Sequence, residues 1–204
     1  MRRMSGKLVD LAHPDVVVPD LVAVDTNVVI AFLQQAFPGQ NPQQLARATA
    51  FFTKVHARGL VCVVTPTVFS EVVHAFVKKA YQLRVKGNRA VLSEQHGVPI
   101  NSWLELIKVD PMPLQELGPH LKMIDQSLVG NDVTVAGQED LDFVAYPPRQ
   151  HFSQELIDRM VRYGMDSSDA VITIEVSSLG IDAIVSMDRD MQRALPDFDI
   201  YTWL

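Results

Sequence analysis

The sequence has a single cysteine, Cys62, among its 204 residues. One thiol cannot form an internal disulfide, and it cannot supply the several thiolates of a structural zinc site. Cys62 stands in the apolar stretch LVCVV, so we expect a small buried side chain rather than a reactive one. The lack of disulfides favours a reducing compartment, and we therefore expect the protein in the cytoplasm.

Long apolar runs are also missing from the sequence. No segment approaches the roughly 18 apolar residues that a membrane-spanning helix needs. Residues 1–20 carry three aspartates and no apolar core, which argues against a signal peptide. We expect a protein without a membrane segment.

Positive charge is scarce, since 18 Lys and Arg face 24 Asp and Glu, for a net charge of −6. This balance argues against non-specific coating of nucleic acid, although it leaves room for a local basic groove. The sequence has no P-loop, no dinucleotide-binding fingerprint and no serine nucleophile elbow. Its six histidines do not have the spacing of metal ligands.

Apolar residues make up 48% of the chain, enough for a sizeable core. Apolar runs at 21–24, 60–64 and 183–187 predict buried strands, and segments of helical periodicity lie between them. Strands that alternate with helices indicate an α/β fold with a mostly parallel sheet. The chain length fits one domain, or one domain with an insertion.

The expected boundaries are an N-terminal extension at 1–20 and a domain at 21–204 with an insertion at about 88–150. The inserted segment is less regular than its surroundings, because its prolines are expected to break it into short helices and loops. These prolines are Pro99, Pro111, Pro113, Pro119, Pro147 and Pro148.

Acidic residues stand where the predicted parallel strands end, or in the helices beside those ends. Ligands of open parallel sheets bind at the carboxyl ends of the strands, so we expect these acids to converge on one edge. The acids are Asp25, Glu71, Asp166, Asp169, Asp188 and Asp190.

Clustered carboxylates repel one another unless a cation holds them. A site of oxygen ligands without His or Cys favours Mg²⁺ or Mn²⁺. Each acid also has a purely structural interpretation. Asp166 and Asp169 fit a capped helix start, Asp190 fits another, and Asp25 could simply begin a helix.

Four fragments carry a family resemblance: AVDTNVV, TPTVFSEVV, MDSSDAVITIEVSSLGID and IVSMDRDM. In this order, across residues 21–204, they resemble the PIN-domain family of metal-dependent ribonucleases, which includes the VapC-type toxins of toxin–antitoxin pairs. Two features depart from the VapC pattern. The segment 88–150 makes this chain longer, and Met191 stands where an aromatic residue is common.

The resemblance implies a three-layer α/β/α fold and hydrolysis of RNA to a 3′-hydroxyl and a 5′-phosphate. It also implies a homodimer and, for a toxin, an antitoxin partner. The implied catalytic and metal-binding acids are Asp25, Glu71, Asp169 and Asp188, with Asp166 and Asp190 as auxiliary ligands. Thr26 or Asn27 would orient Asp25 by hydrogen bonding.

A basic run follows Glu71 on the same predicted helix, and Tyr81 lies within it. We expect this run to hold RNA phosphates, with Tyr81 as a stacking platform, whereas the simpler alternative is a solvated helix face. Its residues are Lys78, Lys79, Arg84, Lys86 and Arg89.

Two other function classes stay open. Phosphatases of the haloacid-dehalogenase type place a nucleophilic Asp after the first strand, as Asp25 is placed, but Asn27 lacks the acid/base carboxylate of their Asp-x-Asp pattern. A non-catalytic RNA- or protein-binding module could also keep the fold.

Overall fold

The computed structural model describes residues 6–33, 41–141 and 152–204. The strands are β1 (Leu8–Asp10), β2 (Leu21–Val24), β3 (Val61–Val64), β4 (Val133–Val135), β5 (Ala183–Val185) and β6 (Asp199–Thr202). The helices are α1 (Thr26–Leu33), α2 (Pro42–Arg58), α3 (Pro66–Val85), α4 (Arg89–His96), α5 (Trp103–Val109), α6 (Met112–Val129), α7 (Phe152–Tyr163) and α8 (Ser167–Ser178). Short 3₁₀ helices lie at Gln138–Asp140 and Asp190–Ala194.

The described chain divides into two compact units. A sheet unit takes the described residues up to Ser70 and from Ser127 onward, and a helical unit takes Glu71–Gln126. The division passes through α3 and α6, so each of these helices contributes to both units.

The sheet unit contains one six-stranded sheet in the order β1-β6-β5-β2-β3-β4, and every pair of neighbouring strands is parallel. Helices flank the sheet, which confirms the expected three-layer α/β/α fold. In the sheet, β3 and β4 lie on one side of β2. The strands β5 and β6, which come later in the chain, lie on its other side. The strand order therefore reverses between β2 and β5, the point at which such sheets form ligand crevices.

The core of the sheet unit follows from its continuous apolar strands. Val22, Ala23 and Val24 of β2 are buried, as a strand covered on both faces should be. Cys62 of β3 is buried too, and this burial raises the pKa of its thiol to about 12. The prediction that Cys62 is a small buried side chain is confirmed.

Besides β6, two strands were not predicted from the sequence. β1 lies within the expected N-terminal extension and pairs with β6, where Val9 stands opposite Tyr201. β4 lies within the expected insertion at 88–150 and pairs with β3. Both are three-residue edge strands, too short to show a periodic pattern in the sequence. Part of the expected insertion, 142–150, lies outside the described residues.

The helical unit packs around a buried cluster that contains Val77, Tyr81 and Val85 of α3. The Tyr81 side chain is fully buried, and its hydroxyl donates to the Asp110 carbonyl oxygen at 2.9 Å. The prediction that Tyr81 stacks on RNA is therefore wrong, because Tyr81 faces the core between Val77 and Val85. This i, i+4, i+8 spacing places all three residues on one helix face.

Pro99 and Pro111 lie between helices of this unit, as predicted, but Pro119 does not. α6 runs from Met112 to Val129 through Pro119, so the expected break there is wrong. Pro119 removes one backbone donor, but Leu121 packs against the buried cluster just beyond it. Packing on this side holds the segment helical. No helix in the described part of the chain is both long and apolar enough to cross a membrane.

We predict that Gly6→Ala undocks β1. A Cβ atom at Gly6 would lie 1.8 Å from the Phe198 carbonyl oxygen, and a backbone atom cannot yield as a flexible side chain can. Gly118→Ala in α6 is the control, because its new Cβ would meet no atom within 4 Å other than its chain neighbours and the backbone of its own helix. Thermal melts should show a loss of stability for Gly6→Ala that is clearly larger than any change for Gly118→Ala, where the helix propensity of alanine is offset by the proline that follows. Equal stability of Gly6→Ala and the parent would contradict the docking of β1.

Candidate functional site

Asp25 is the first residue after β2, and it stands beside the end of β5. Its backbone N–H donates to the Val185 carbonyl oxygen at 2.9 Å, which continues the pairing of the two strands. Only 4% of Asp25 is exposed. Its Oδ1 accepts from the Thr26 backbone N–H at 2.7 Å, and its Oδ2 accepts from the Ser186 hydroxyl at 2.6 Å. Both carboxylate oxygens are therefore held in place.

Ser186 connects Asp25 to the acid at the end of β5. Its side chain is fully buried, and besides donating to Asp25 its Oγ accepts the Asp188 backbone N–H at 2.9 Å. A hydroxyl has one proton to donate, so the direction of both bonds is fixed once Asp25 accepts that proton. The chain from Asp25 through Ser186 to Asp188 thus joins the ends of two neighbouring strands.

Asn27 holds the same junction from the other side. Its Oδ1 accepts the Met187 backbone N–H at 3.0 Å, so it binds the segment after β5 rather than Asp25. Of the two residues expected to orient Asp25, Thr26 does so with its backbone N–H. The sequence Asp-Thr-Asn therefore takes part in four hydrogen bonds at the point where the strand order reverses.

Asp188 and Asp190 lie on the exposed side of this junction. Asp188 Oδ1 accepts the Asp190 backbone N–H at 2.9 Å, and the Asp188 side chain is exposed. Asp190 pairs with Arg193 at 3.0 Å, as an acid in the first turn of a short helix can. Asp188 is thus the exposed counterpart of the buried Asp25.

Asp166 and Asp169 open α8, the helix that leads into β5. Asp166 is the N-cap residue, and its Oδ1 accepts the Asp169 backbone N–H at 3.0 Å. The capping role expected of Asp166 is confirmed. Because α8 precedes β5, its first turn lies at the edge of the sheet where the strands end, as Asp25 and Asp188 do.

The remaining predicted residues belong to the helical unit. Glu71 lies in α3 as the first residue of that unit and is half-buried. Lys78 and Arg84 are exposed, whereas Lys79 is half-buried. Arg84 forms an ion pair with Glu116, so part of its charge is already compensated. Participation of Glu71 and the basic run in one site with Asp25 stays a prediction.

No group of three or more His, Cys, Asp and Glu side chains converges as a metal site within the described ranges. Mg²⁺ does not need such a group, because it keeps several waters and is commonly held by one or two carboxylates together with substrate phosphates. Asp25 and Asp188 supply carboxylate oxygens on adjacent strand ends. The donor set therefore fits a water-rich Mg²⁺ or Mn²⁺ ion rather than a closed protein cage.

Ser186 and Glu175 have structural roles that were not predicted from the sequence. Ser186 lies inside the quoted fragment IVSMDRDM, so a hydroxyl two residues before Asp188 was visible in the pattern. Glu175 is a buried acid of α8 that accepts from the Thr67 backbone N–H at 3.1 Å and the Thr67 hydroxyl at 2.8 Å. It satisfies a donor in the first turn of α3 and ties α3 to α8.

A scan against models of known protein families finds no match for this chain, and a search among curated proteins finds none either.

Proposed function

We propose that this protein is a Mg²⁺- or Mn²⁺-dependent endoribonuclease of the PIN type. The observation that carries the proposal is the chain from Asp25 through Ser186 to Asp188 at the reversal of strand order. Buried and exposed carboxylates at adjacent strand ends are suited to a hydrated divalent cation. The PIN resemblance supplies the reaction and adds Glu71 and Asp169 as further acids.

A bound divalent cation would stabilise charge on the phosphoryl oxygens and lower the pKa of a coordinated water. The chain's own contribution is positional. Ser186 and the Thr26 backbone N–H fix the Asp25 carboxylate, while Asn27 fixes the loop that presents Asp188. Asp188, being exposed, is the acid that a substrate phosphate and its cation can reach from solvent.

The phosphatase alternative receives less support from the geometry. A haloacid-dehalogenase mechanism needs a proton-transferring carboxylate two residues after Asp25. Here Asn27 occupies that position, and its side-chain oxygen accepts from the Met187 backbone N–H. An amide in this role holds a loop and cannot exchange the proton. A non-catalytic binding module would keep the same contacts and is distinguished by a lack of cleavage.

The proposal extends to partners and location. The substrate is RNA, drawn in part by the basic run of α3. We further propose a homodimer in the cytoplasm and, if the protein is a toxin, an antitoxin partner. These extensions depend on the family resemblance.

We predict that Asp25→Asn and Asp188→Asn each lower metal-dependent RNA cleavage by about a hundredfold or more. Asp20→Asn is the matched control, because Asp20 is an exposed acid at the other end of β2. Cleavage of a mixed RNA pool in Mg²⁺ and in Mn²⁺, against an EDTA blank, gives the comparison. Since Asp188 is exposed, its variant should melt within about 0.5 kcal/mol of the parent in free energy of unfolding.

Parent-level cleavage by Asp188→Asn would refute the site. Cleavage that survives EDTA would refute the metal dependence. An equal loss of cleavage in Asp20→Asn and Asp25→Asn would show that an acid at either end of β2 matters. The position of Asp25 at the carboxyl end of the strand would then not be the cause.

We predict that Ser186→Ala lowers cleavage by about 10- to 100-fold and raises the Mn²⁺ concentration needed for half-maximal activity. It should also cost about 1–3 kcal/mol of folding free energy, because the buried Asp25 carboxylate loses a donor. Ser186→Thr keeps the hydroxyl and should restore the metal midpoint. An Ala variant that loses stability but keeps the parent's metal midpoint would make Ser186 purely structural.

The basic run gives a prediction about RNA binding. Replacing Lys78, Lys79 and Arg84 together by alanine should weaken RNA binding and flatten its dependence on salt, because fewer counterions are released. Filter binding of a single-stranded RNA across a salt series measures both quantities.

The control variant removes the same charge from Arg47, Lys108 and Lys122, which lie outside the run. It should weaken binding less and keep a steeper salt slope than the first variant. Identical slopes for the two triple variants would make the run an ordinary solvated helix face.

A further inference from the structure

A concave surface lies in the sheet unit, away from Asp25 and Asp188. It is a pocket of about 620 Å³, within the usual volume range of small-molecule sites. Its described lining includes Phe32 of α1, Thr49, Phe52, Thr53 and His56 of α2, and Asn131 after α6.

Connectivity places this pocket at the opposite edge of the sheet from Asp25. His56 lies two residues before the end of α2, and α2 leads into the start of β3. Asn131 lies in the connection that leads from α6 into the start of β4. The starts of parallel strands share one edge, while Asp25 and Asp188 occupy the edge where strands end. The pocket is therefore not part of the proposed nuclease site.

Part of the pocket lining is aromatic. The Phe32 and Phe52 ring centroids lie 4.3 Å apart at an interplanar angle of 41°. Phe52 is buried and also meets Phe51 edge-on at 5.2 Å, whereas Phe32 is only half-buried. A partly exposed ring that is backed by buried rings offers a fixed apolar surface on which a planar ligand can stack.

The pocket lining also carries groups for hydrogen bonding. His56 Nδ1 bonds Asp132 Oδ2, so in the neutral imidazole the proton lies on Nδ1 and Nε2 remains an acceptor. Asn131 Nδ2 donates to the Ser127 carbonyl oxygen at 2.7 Å, which fixes the orientation of its amide. The hydroxyls of Thr49 and Thr53 can donate or accept.

Asp132 lies in the turn between α6 and β4. Among described residues other than glycine, Asp132 alone has a positive φ, at 61°. Aspartate is one of the residues that adopt this left-handed conformation most readily. Here it carries the carboxylate that orients His56.

We propose that this pocket binds a small planar heterocycle with hydrogen-bonding groups at its edge, of nucleoside size. The Phe32 ring would take the face of the heterocycle, and the His56 and threonine side chains would take its edge. An uncharged ligand fits best, because the groups that line the pocket beside the rings are a histidine, an asparagine and two threonines. The proposal does not depend on nuclease activity.

Titration of the full chain with adenosine, guanosine, cytidine and uridine, followed by calorimetry, tests the proposal. His56→Ala removes an exposed side chain, and Thr53→Val removes a hydroxyl at nearly constant shape. His13→Ala is the matched control, because His13 is also exposed and faces a carboxylate, that of Asp15 at 4.0 Å. Indole serves as an aromatic probe with little hydrogen-bonding capacity.

We expect at least one nucleoside to bind with a Kd near or below about 1 mM. His56→Ala and Thr53→Val should each weaken it by about fivefold or more, and His13→Ala should leave it unchanged. No saturable binding up to about 10 mM would overturn the proposal. So would undiminished binding by His56→Ala and Thr53→Val, or indole binding as tight as that of the best nucleoside.

Discussion

The hydroxyl of Ser186 is the contact on which the proposed site depends. It donates to Asp25 after β2 and accepts the backbone N–H of Asp188 after β5, and it is buried between them. These strands are neighbours only because the chain changes direction across the sheet between them. The Ser186 hydroxyl therefore fixes the buried Asp25 carboxylate and the backbone of the exposed Asp188 at adjacent strand ends. An aspartate that follows a strand without such a hydroxyl beside it would have neither this hydrogen-bond donor nor the fixed orientation.

The parallel sheet also separates two kinds of chemistry. At the edge where strands end lie Asp25 and Asp188, for which we propose a cation. At the edge where strands begin, Phe32 and His56 line the pocket for which we propose a planar ligand. The helices that connect two parallel strands lead from the edge where one strand ends to the edge where the next strand begins. Residues that are close in sequence can therefore lie at opposite edges of the sheet. Thr26 and Phe32, in the same helix, contribute to different sites for this reason.

Sequence reasoning found the parts of the fold that periodicity reveals. The buried strands β2 and β3, the helices between them and the strand-end position of Asp25 follow from apolar runs and turn residues. It missed β1, because three edge residues depend on pairing with β6 nearly at the other end of the chain. Tyr81 was predicted to stack on RNA because lysines and arginines surround it in the sequence. Its i, i+4, i+8 spacing with Val77 and Val85 instead indicates a buried helix face. The role of Ser186 could not be predicted, since it requires knowing that β2 and β5 are adjacent.

The most direct test of the central claim is to locate a paramagnetic divalent cation on the folded chain. In amide correlation spectra, low concentrations of Mn²⁺ should first broaden the signals of residues 25–27 and 186–190, which surround the Ser186 hydroxyl. The exposed acids of the 3₁₀ helix Gln138–Asp140 provide an internal comparison for non-specific attraction. Earlier broadening at Gln138–Asp140, or uniform broadening over all exposed acids, would contradict a cation site at the junction of β2 and β5.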